Sequence, residues 1–340
     1  MINLLSDTIT RPTPGMLKAM MQADVGDDVF GEDPSINRLE SMLADWFGME
    51  AGMFCPSGTM TNQIALKMHT RPLDEVVCDV NSHIYQYEVG GYAFHSGIGI
   101  QLLEGQNGKI TAEQIEAAIR PDQNWLPKTR LVVLENTCNR GGGSIYRAEE
   151  VQPIRLLTAQ RGLALHLDGA RLFNALVETG ESPSLWGSLF DSISICLSKG
   201  LGAPVGSVLL GNAAFIHEAR RVRKAMGGGM RQAGYLAAAG IYALEHHIDR
   251  LAEDHEHARM LGDALRQVPW VKHIRPVRSN ILLFDVADHL QASQVLQALN
   301  KEGIHASGFG PRTIRFVTHL DISREMIQQA IKAILQADIP

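Results

Sequence analysis

The sequence has no paired cysteines, no long apolar run and no excess of positive charge, and each absence excludes a class of protein. Its four cysteines, Cys55, Cys78, Cys138 and Cys196, form no CxxC pair. That argues against a zinc cluster or a disulfide framework and fits a reducing, cytoplasmic setting with no bound metal. No stretch of 18 or more apolar residues occurs, so no membrane-spanning helix is expected. The N-terminus, MINLLSDTITRPT, lacks a basic n-region and a long apolar h-region and reads as mature sequence without a signal peptide. The formal charge of −6 is the wrong sign for a nucleic-acid partner, which needs concentrated positive surface. No strand-like run leads into GxGxxG, which excludes a dinucleotide-binding dehydrogenase. Internal repeats and low-complexity tracts are also missing.

What is present is 340 residues, 45% apolar and 20% charged, an ordinary soluble composition with material for about two domains. Residues 1–33 are polar and rich in turn signals. DPSINRLESMLADWFG then reads as a helix, opened by Pro34 and stopped by Gly48, with Ile36, Leu39, Leu43 and Phe47 at helical spacing. Strand-like runs (AGMFC, EVVCDV, TRLVVLEN, LALHLDG, SISICLS) alternate with helical ones. That alternation predicts an α/β fold, a mainly parallel sheet layered between helices. A long helical region follows the GGGMRQ run, after which shorter strands (SNILLFDV, TIRFVTH) and two helices suggest a second unit. The expected division is 1–250 for a large domain with an N-terminal arm and 251–340 for a small C-terminal α/β domain.

In parallel sheets, ligands collect at the carboxyl ends of strands. Asp168 closes LALHLD, and Lys199 follows SISICLS 31 positions later. That separation fits one helical crossover and one further strand. Asp168 is either an N-cap for the segment after it or a carboxylate facing a pocket. If the two strands are neighbours, a carboxylate and an amine meet one ligand, the pair that pyridoxal phosphate requires. Gly58 and Thr59, after AGMFC at a helix start, could receive its phosphate, and the helix N-terminus favours an anion there. His83, after EVVCDV, could stack on a ring or act as a base. Arg231 and Lys224, around GGGMRQ, are either a solvated face or a source of cations for a phosphate.

These residues lie in nine ordered blocks, among them SDTITRPT, VGDDVFGEDPSINRLE, PSGTMTNQ, LENTCNRGGG, HLDGARLFNA, CLSKGLGAPVGSVLLG and IRFVTHLDISRE. Together they resemble the low-specificity L-threonine aldolases, pyridoxal-phosphate enzymes of the aspartate-aminotransferase-like fold (fold type I), over about residues 2–330. The resemblance implies cleavage of L-threonine, L-allo-threonine and related β-hydroxy-α-amino acids to glycine and an aldehyde. It implies that Lys199 carries the cofactor as a Schiff base, that Asp168 pairs with the pyridine nitrogen, and that His83 stacks on the ring. Gly58 and Thr59 would contact the phosphate. Arg171 and Arg315, with Ser6, would hold the substrate carboxylate. Lys224 and Arg231 would reach the phosphate of a neighbouring subunit in a homotetramer with shared active sites.

One position departs from the family pattern. Where these aldolases carry a histidine before the LENT strand, this chain has Trp125, in NWLPKT. An indole cannot act as a base. On this reading Trp125 lines the aldehyde side, favours larger or more apolar side chains, and leaves the base role to His83 or a water it holds. The alternative function is another lyase of the same fold, acting on a different β-substituted amino acid.

Overall fold

Seven strands form the central sheet of the computed structural model, which describes residues 1–339. Their order is Ala51–Cys55, Ser207–Gly211, Ser192–Cys196, Ala164–Gly169, Lys128–Glu135, Asp74–Asp79 and Gly99–Leu103. Ser207–Gly211 runs antiparallel to both neighbours, and the remaining pairs are parallel. Helices cover both faces, so the inner strands are largely buried and read as continuous apolar runs rather than alternating ones, while the edge strand Gly99–Leu103 stays partly exposed.

Local chemistry sets the flanking elements. The helix Pro34–Phe47 starts where Asp33 Oδ1 accepts from Ile36 N at 3.0 Å, with Pro34 in the first turn, where no N–H partner is needed. It stops at Gly48, whose φ of 62° is costly for any residue with a Cβ. Ile36, Leu39, Leu43 and Phe47 are fully buried on its inner face.

Two features differ from the sequence reading. Residues 1–33 are not mostly turn: Pro14–Met21 is a helix, capped by Thr13 and packed on Gly234–His246. Gly15 faces Tyr242 so closely that a Cβ there would collide with the phenol oxygen. The long helical region after GGGMRQ is two helices, Gly234–His246 and Leu251–Leu265, parted by a short break.

The buried apolar residues form two large clusters. The larger spans Met16 to Leu251, and the second gathers Leu261 to Ile334 around a four-stranded antiparallel sheet. Ile2 and Leu4 join the second cluster, because Ile2–Asn3 pairs in parallel with Ile304–His305. The N-terminal arm is therefore anchored to the C-terminal unit, and residues 5–10 pass between the two clusters. Among the described residues no helix is long and apolar enough to cross a membrane.

Candidate active site

Ala164–Gly169 and Ser192–Cys196 are adjacent, with Asp168 opposite Ser194. Asp168 and the residues after Cys196 therefore leave the sheet at the same edge. Lys199 lies in the ten-residue link between Cys196 and Ser207, with Gly202 and Gly206 at φ 81° and 120° turning the chain back. A cavity of about 270 Å³ opens at this edge, lined by Lys199, Asp168, His83, Ser57, Gly58 and Thr59, with Thr8 from the N-terminal arm.

One end of the cavity is the N-terminus of the helix Gly58–His69. Ser57 Oγ accepts from Met60 N at 3.2 Å, so the amides of Gly58 and Thr59 remain for an anion. A Cβ on Gly58 would sit 2.5 Å from Cys196 Sγ, so only glycine lets the helix start this close to the strand.

At the other end, Asp168 is 2% exposed. Its Oδ1 accepts from Ala170 N at 3.1 Å and its Oδ2 from Asn62 Nδ2 at 2.8 Å. It does not cap a helix: the one that follows begins at Leu172 with Arg171 in the cap position. His83 Nδ1 lies 2.9 Å from Glu88 Oε1, and its backbone N–H donates to Glu135 Oε2 at 2.8 Å. Burial disfavours the imidazolium, but the bond to Glu88 and the nearby Asp168 and Glu135 outweigh it, and the His83 pKa is raised.

Glu135 and Glu88 were not singled out from the sequence. Glu135 Oε2 holds the His83 loop and Oε1 accepts from Asn139 N at 2.8 Å, so one carboxylate ties two loops to the end of its strand. Burial and the neighbouring Asp168 raise its pKa to about 7. Its position as the acid closing TRLVVLE is the signal that also picked out Asp168. Glu88, 3% exposed, accepts from His83, Asn62 and Gln63. His83, Glu88 and Asp168 present ligand-type atoms within 4.8 Å of one another, but these atoms are already engaged in this hydrogen-bonded network.

The two arginines are not equivalent. Arg171, expected to grip a carboxylate, donates Nε and Nη2 to the chain's own Asp7 at 2.7 and 2.6 Å, which leaves the donors of Nη1 for another partner. Asp7 is fully buried; burial raises its pKa, but Arg171, Lys199 and Asn280 outweigh that and bring it down to about 2. Arg315 is also buried, yet its bonds go to neutral oxygens, Asn139 Oδ1 at 2.8 Å and Leu5 O at 3.0 Å. Its Nε has no partner. Burial and the charge of Arg171 lower the Arg315 pKa to about 10. A buried cation without a counter-ion is costly, and a ligand carboxylate would relieve it. Ser6 is partly exposed on the arm, and its Oγ accepts from Thr8 N at 3.2 Å.

Arg171, Arg315 and Ser6 do not line this cavity, and three more of the expected residues lie away from it in their own chain. Trp125 is 74% exposed and precedes the amino end of Lys128–Glu135, whereas the cavity lies at the carboxyl end, about 25 Å along the strand. Within one subunit it cannot line the aldehyde side. Lys224 lines a separate basic depression with Arg220, Arg221 and Arg223. Arg231 pairs with Asp27 at 2.7 Å and lies over the Phe30 ring.

A lysine and an aspartate brought to one cavity from adjacent parallel strands, beside a helix N-terminus open to an anion, fit an α/β enzyme of the aspartate-aminotransferase-like fold. Residues 3–289 match the beta-eliminating lyase family. The chain is 42% identical to the low specificity L-threonine aldolase of Escherichia coli (strain K12), with 97% of each chain covered. It is 39% identical to low-specificity L-threonine aldolase 1 of Arabidopsis thaliana, over 99% of this chain and 96% of that one. The chain belongs to the low-specificity L-threonine aldolase family. In fold it is similar to the threonine aldolase of Leishmania major, at a TM-score of 0.85 and 22% identity over 98% of each chain.

Proposed function

We propose that the protein is a pyridoxal-phosphate-dependent lyase that cleaves L-threonine, L-allo-threonine and related β-hydroxy-α-amino acids to glycine and an aldehyde. The observation that carries this reading is the meeting of Lys199 and Asp168 in one cavity, with an anion site at the Gly58 helix start. The residues present fit the cofactor: the Gly58 and Thr59 amides and Ser57 for its phosphate, His83 for a ring face, Asp168 for the ring nitrogen and Lys199 for the aldehyde. When bound, pyridoxal phosphate captures an amine and accepts the electron pair released at Cα.

The chain's own residues supply the rest. Arg315 neutralises the substrate carboxylate, Arg171 Nη1 adds one donor, and Ser6 stands beside them on the arm. Two fixed points on the carboxylate restrict rotation about the Cα–N bond, so one Cα substituent is presented for cleavage. Asp168, held by Asn62 and Ala170, keeps a proton on the ring nitrogen. With Nδ1–H donated to Glu88, His83 leaves Nε2 as a lone pair that takes the β-hydroxyl proton, directly or through a water. A lyase for a different β-substituted amino acid was suggested by Trp125, which is absent from this subunit's cavity, and no other observation favours it.

The working form in this reading is a homotetramer, in which Lys224 and Arg231 serve a neighbour's phosphate site. In support, Val89, Phe94 and Phe30 are 100%, 85% and 72% exposed, apolar side chains that a neighbouring subunit would cover. An active monomer in light scattering would remove this part of the reading. The main test is borohydride reduction of the protein mixed with pyridoxal phosphate. Wild type should give a reduced adduct on Lys199, and an equal adduct in Lys199→Ala refutes the assignment.

A further inference from the structure

The helix Gly58–His69 and the two strands beneath it, Ala164–Gly169 and Ser192–Cys196, share a line of polar side chains that the reaction does not call for. Asn62 is 2% exposed, and His166 and Ser192 are fully buried beneath the sheet edge. Asn62 Nδ2 donates to both Asp168 Oδ2, at 2.8 Å, and Glu88 Oε1, at 2.9 Å. Asn62 Oδ1 lies 3.2 Å from His166 Nε2. His166 Nδ1 lies 2.8 Å from Ser192 Oγ, which is in turn 2.8 Å from His69 Nε2. His69 stacks on Phe215 at 4.7 Å and lines a second cavity of about 320 Å³, with Arg71, Asp74, Arg130 and Gly162. The chain of contacts thus runs from that outer cavity to the carboxylate facing Lys199.

The two carboxylates fix the sense of donation from the Asn62 end. The Asn62 amide nitrogen must face the two carboxylates, since its oxygen there would meet Asp168 and Glu88 together. Asn62 Oδ1 then needs a donor, so His166 carries its proton on Nε2. His166 Nδ1 is then an acceptor and takes the Ser192 hydroxyl proton, with the Ser192 carbonyl, 3.1 Å away, receiving no proton from it, and His69 Nε2–H donates to Ser192 Oγ. Burial keeps both imidazoles neutral, with His69 lowered to about 4 and His166 to about 3. An amide does not pass protons along such a line, so the chain fixes orientation rather than conducting charge.

We infer that Asn62, His166, Ser192 and His69 are positioning residues that lock one amide against Asp168 and Glu88, and so set the ring-nitrogen partner and the His83 ring together. The inference rests on the cofactor reading above. Glu88 holds His83 Nδ1 at 2.9 Å, so a flipped Asn62 would disturb both groups through one rotation. Outer-shell partners of this kind are worth about 10- to 100-fold in ligand affinity or activity.

The test compares His166→Leu, which removes the donor, with His166→Gln, whose amide can still donate to Asn62 Oδ1. The readouts are the dissociation constant of pyridoxal phosphate, the visible band of the bound cofactor, and kcat and KM for threonine. His166→Leu should weaken cofactor binding and lower kcat by about 10- to 100-fold each, with KM changed less and the band shifted. His166→Gln should recover most of each loss. If His166→Leu does not fold, Ser192→Ala at the next link reads the same quantities and should lose about 3- to 10-fold in cofactor affinity. Unchanged cofactor affinity, band and kcat in a folded His166→Leu or Ser192→Ala protein overturns the inference. Equal losses in His166→Leu and His166→Gln also overturn it. A wild-type protein that forms no visible band with pyridoxal phosphate sinks the cofactor reading instead, so the two failures are distinct.

Discussion

Replacing Asp7 by asparagine tests the buried ion pair through which Arg171 is held. Asp7 is fully buried and the Arg171 side chain is 5% exposed, and their two bonds are joined by Asn280 Nδ2 at 3.1 Å. Removing one member of such a pair leaves an uncompensated buried charge and costs about 3–5 kcal/mol. Asp7→Asn should therefore lower the melting midpoint by on the order of 10 °C. The loss should depend on pH in a defined sense. The folded pKa of Asp7 is lowered from 3.8 to about 2. Its contribution is then present above 3.8 and lost as pH falls through 2, so the gap between wild type and variant should close across that window. The assay is urea unfolding of Asp7→Asn, Arg171→Met and the double variant. Because the pair acts as a unit, the double variant should be at least about 1 kcal/mol more stable than the sum of the singles predicts. Additive losses, or a loss under about 1 kcal/mol for Asp7→Asn, would refute the view that this pair anchors the N-terminal arm.

Arg315→Leu should behave in the opposite way. No carboxylate loses its partner, so stability should hold, while KM for threonine rises about 10- to 100-fold through the loss of charged hydrogen bonds; an unchanged KM rejects Arg315 as the carboxylate receptor. Gly58→Ala brings a Cβ to within 2.5 Å of Cys196 Sγ and should cost about 1–3 kcal/mol, and adding Cys196→Ala should recover most of it. No recovery in calorimetry would place the cost elsewhere than at that contact. Glu135, its pKa raised from 4.5 to about 7, takes up a proton on folding. Its stabilising contribution, roughly 3 kcal/mol in full, is present below pH 4.5 and lost as pH rises through 7. Glu135→Gln should flatten the stability profile between those values, and an unaltered slope counts against the shift.

The readable part of this protein was the part fixed by strand order. Asp168 and Lys199 could be placed together because a parallel sheet sends every strand end to one edge, and the chain between them is the length of one crossover and one strand. Arg171 shows where that logic stops. Its position after Asp168 puts it at the correct edge, but its partner Asp7 arrives from the far end of the chain, carried there by the pairing of Ile2–Asn3 with Ile304–His305. No local pattern announces a contact between residues 164 positions apart. Trp125 lies outside its own subunit's cavity for a related reason. Its place in a motif was legible, but it precedes a strand rather than following it, and eight extended residues separate it from the cavity. Asn62 was within reach of the sequence, since it lies four residues after Gly58 on the helix that starts at the cavity, one turn along and on the same face. What periodicity could not supply was the second face of that amide. Its meaning depends on Glu88 and His166, which come from a loop and a strand, and only the folded chain shows that one side chain serves both.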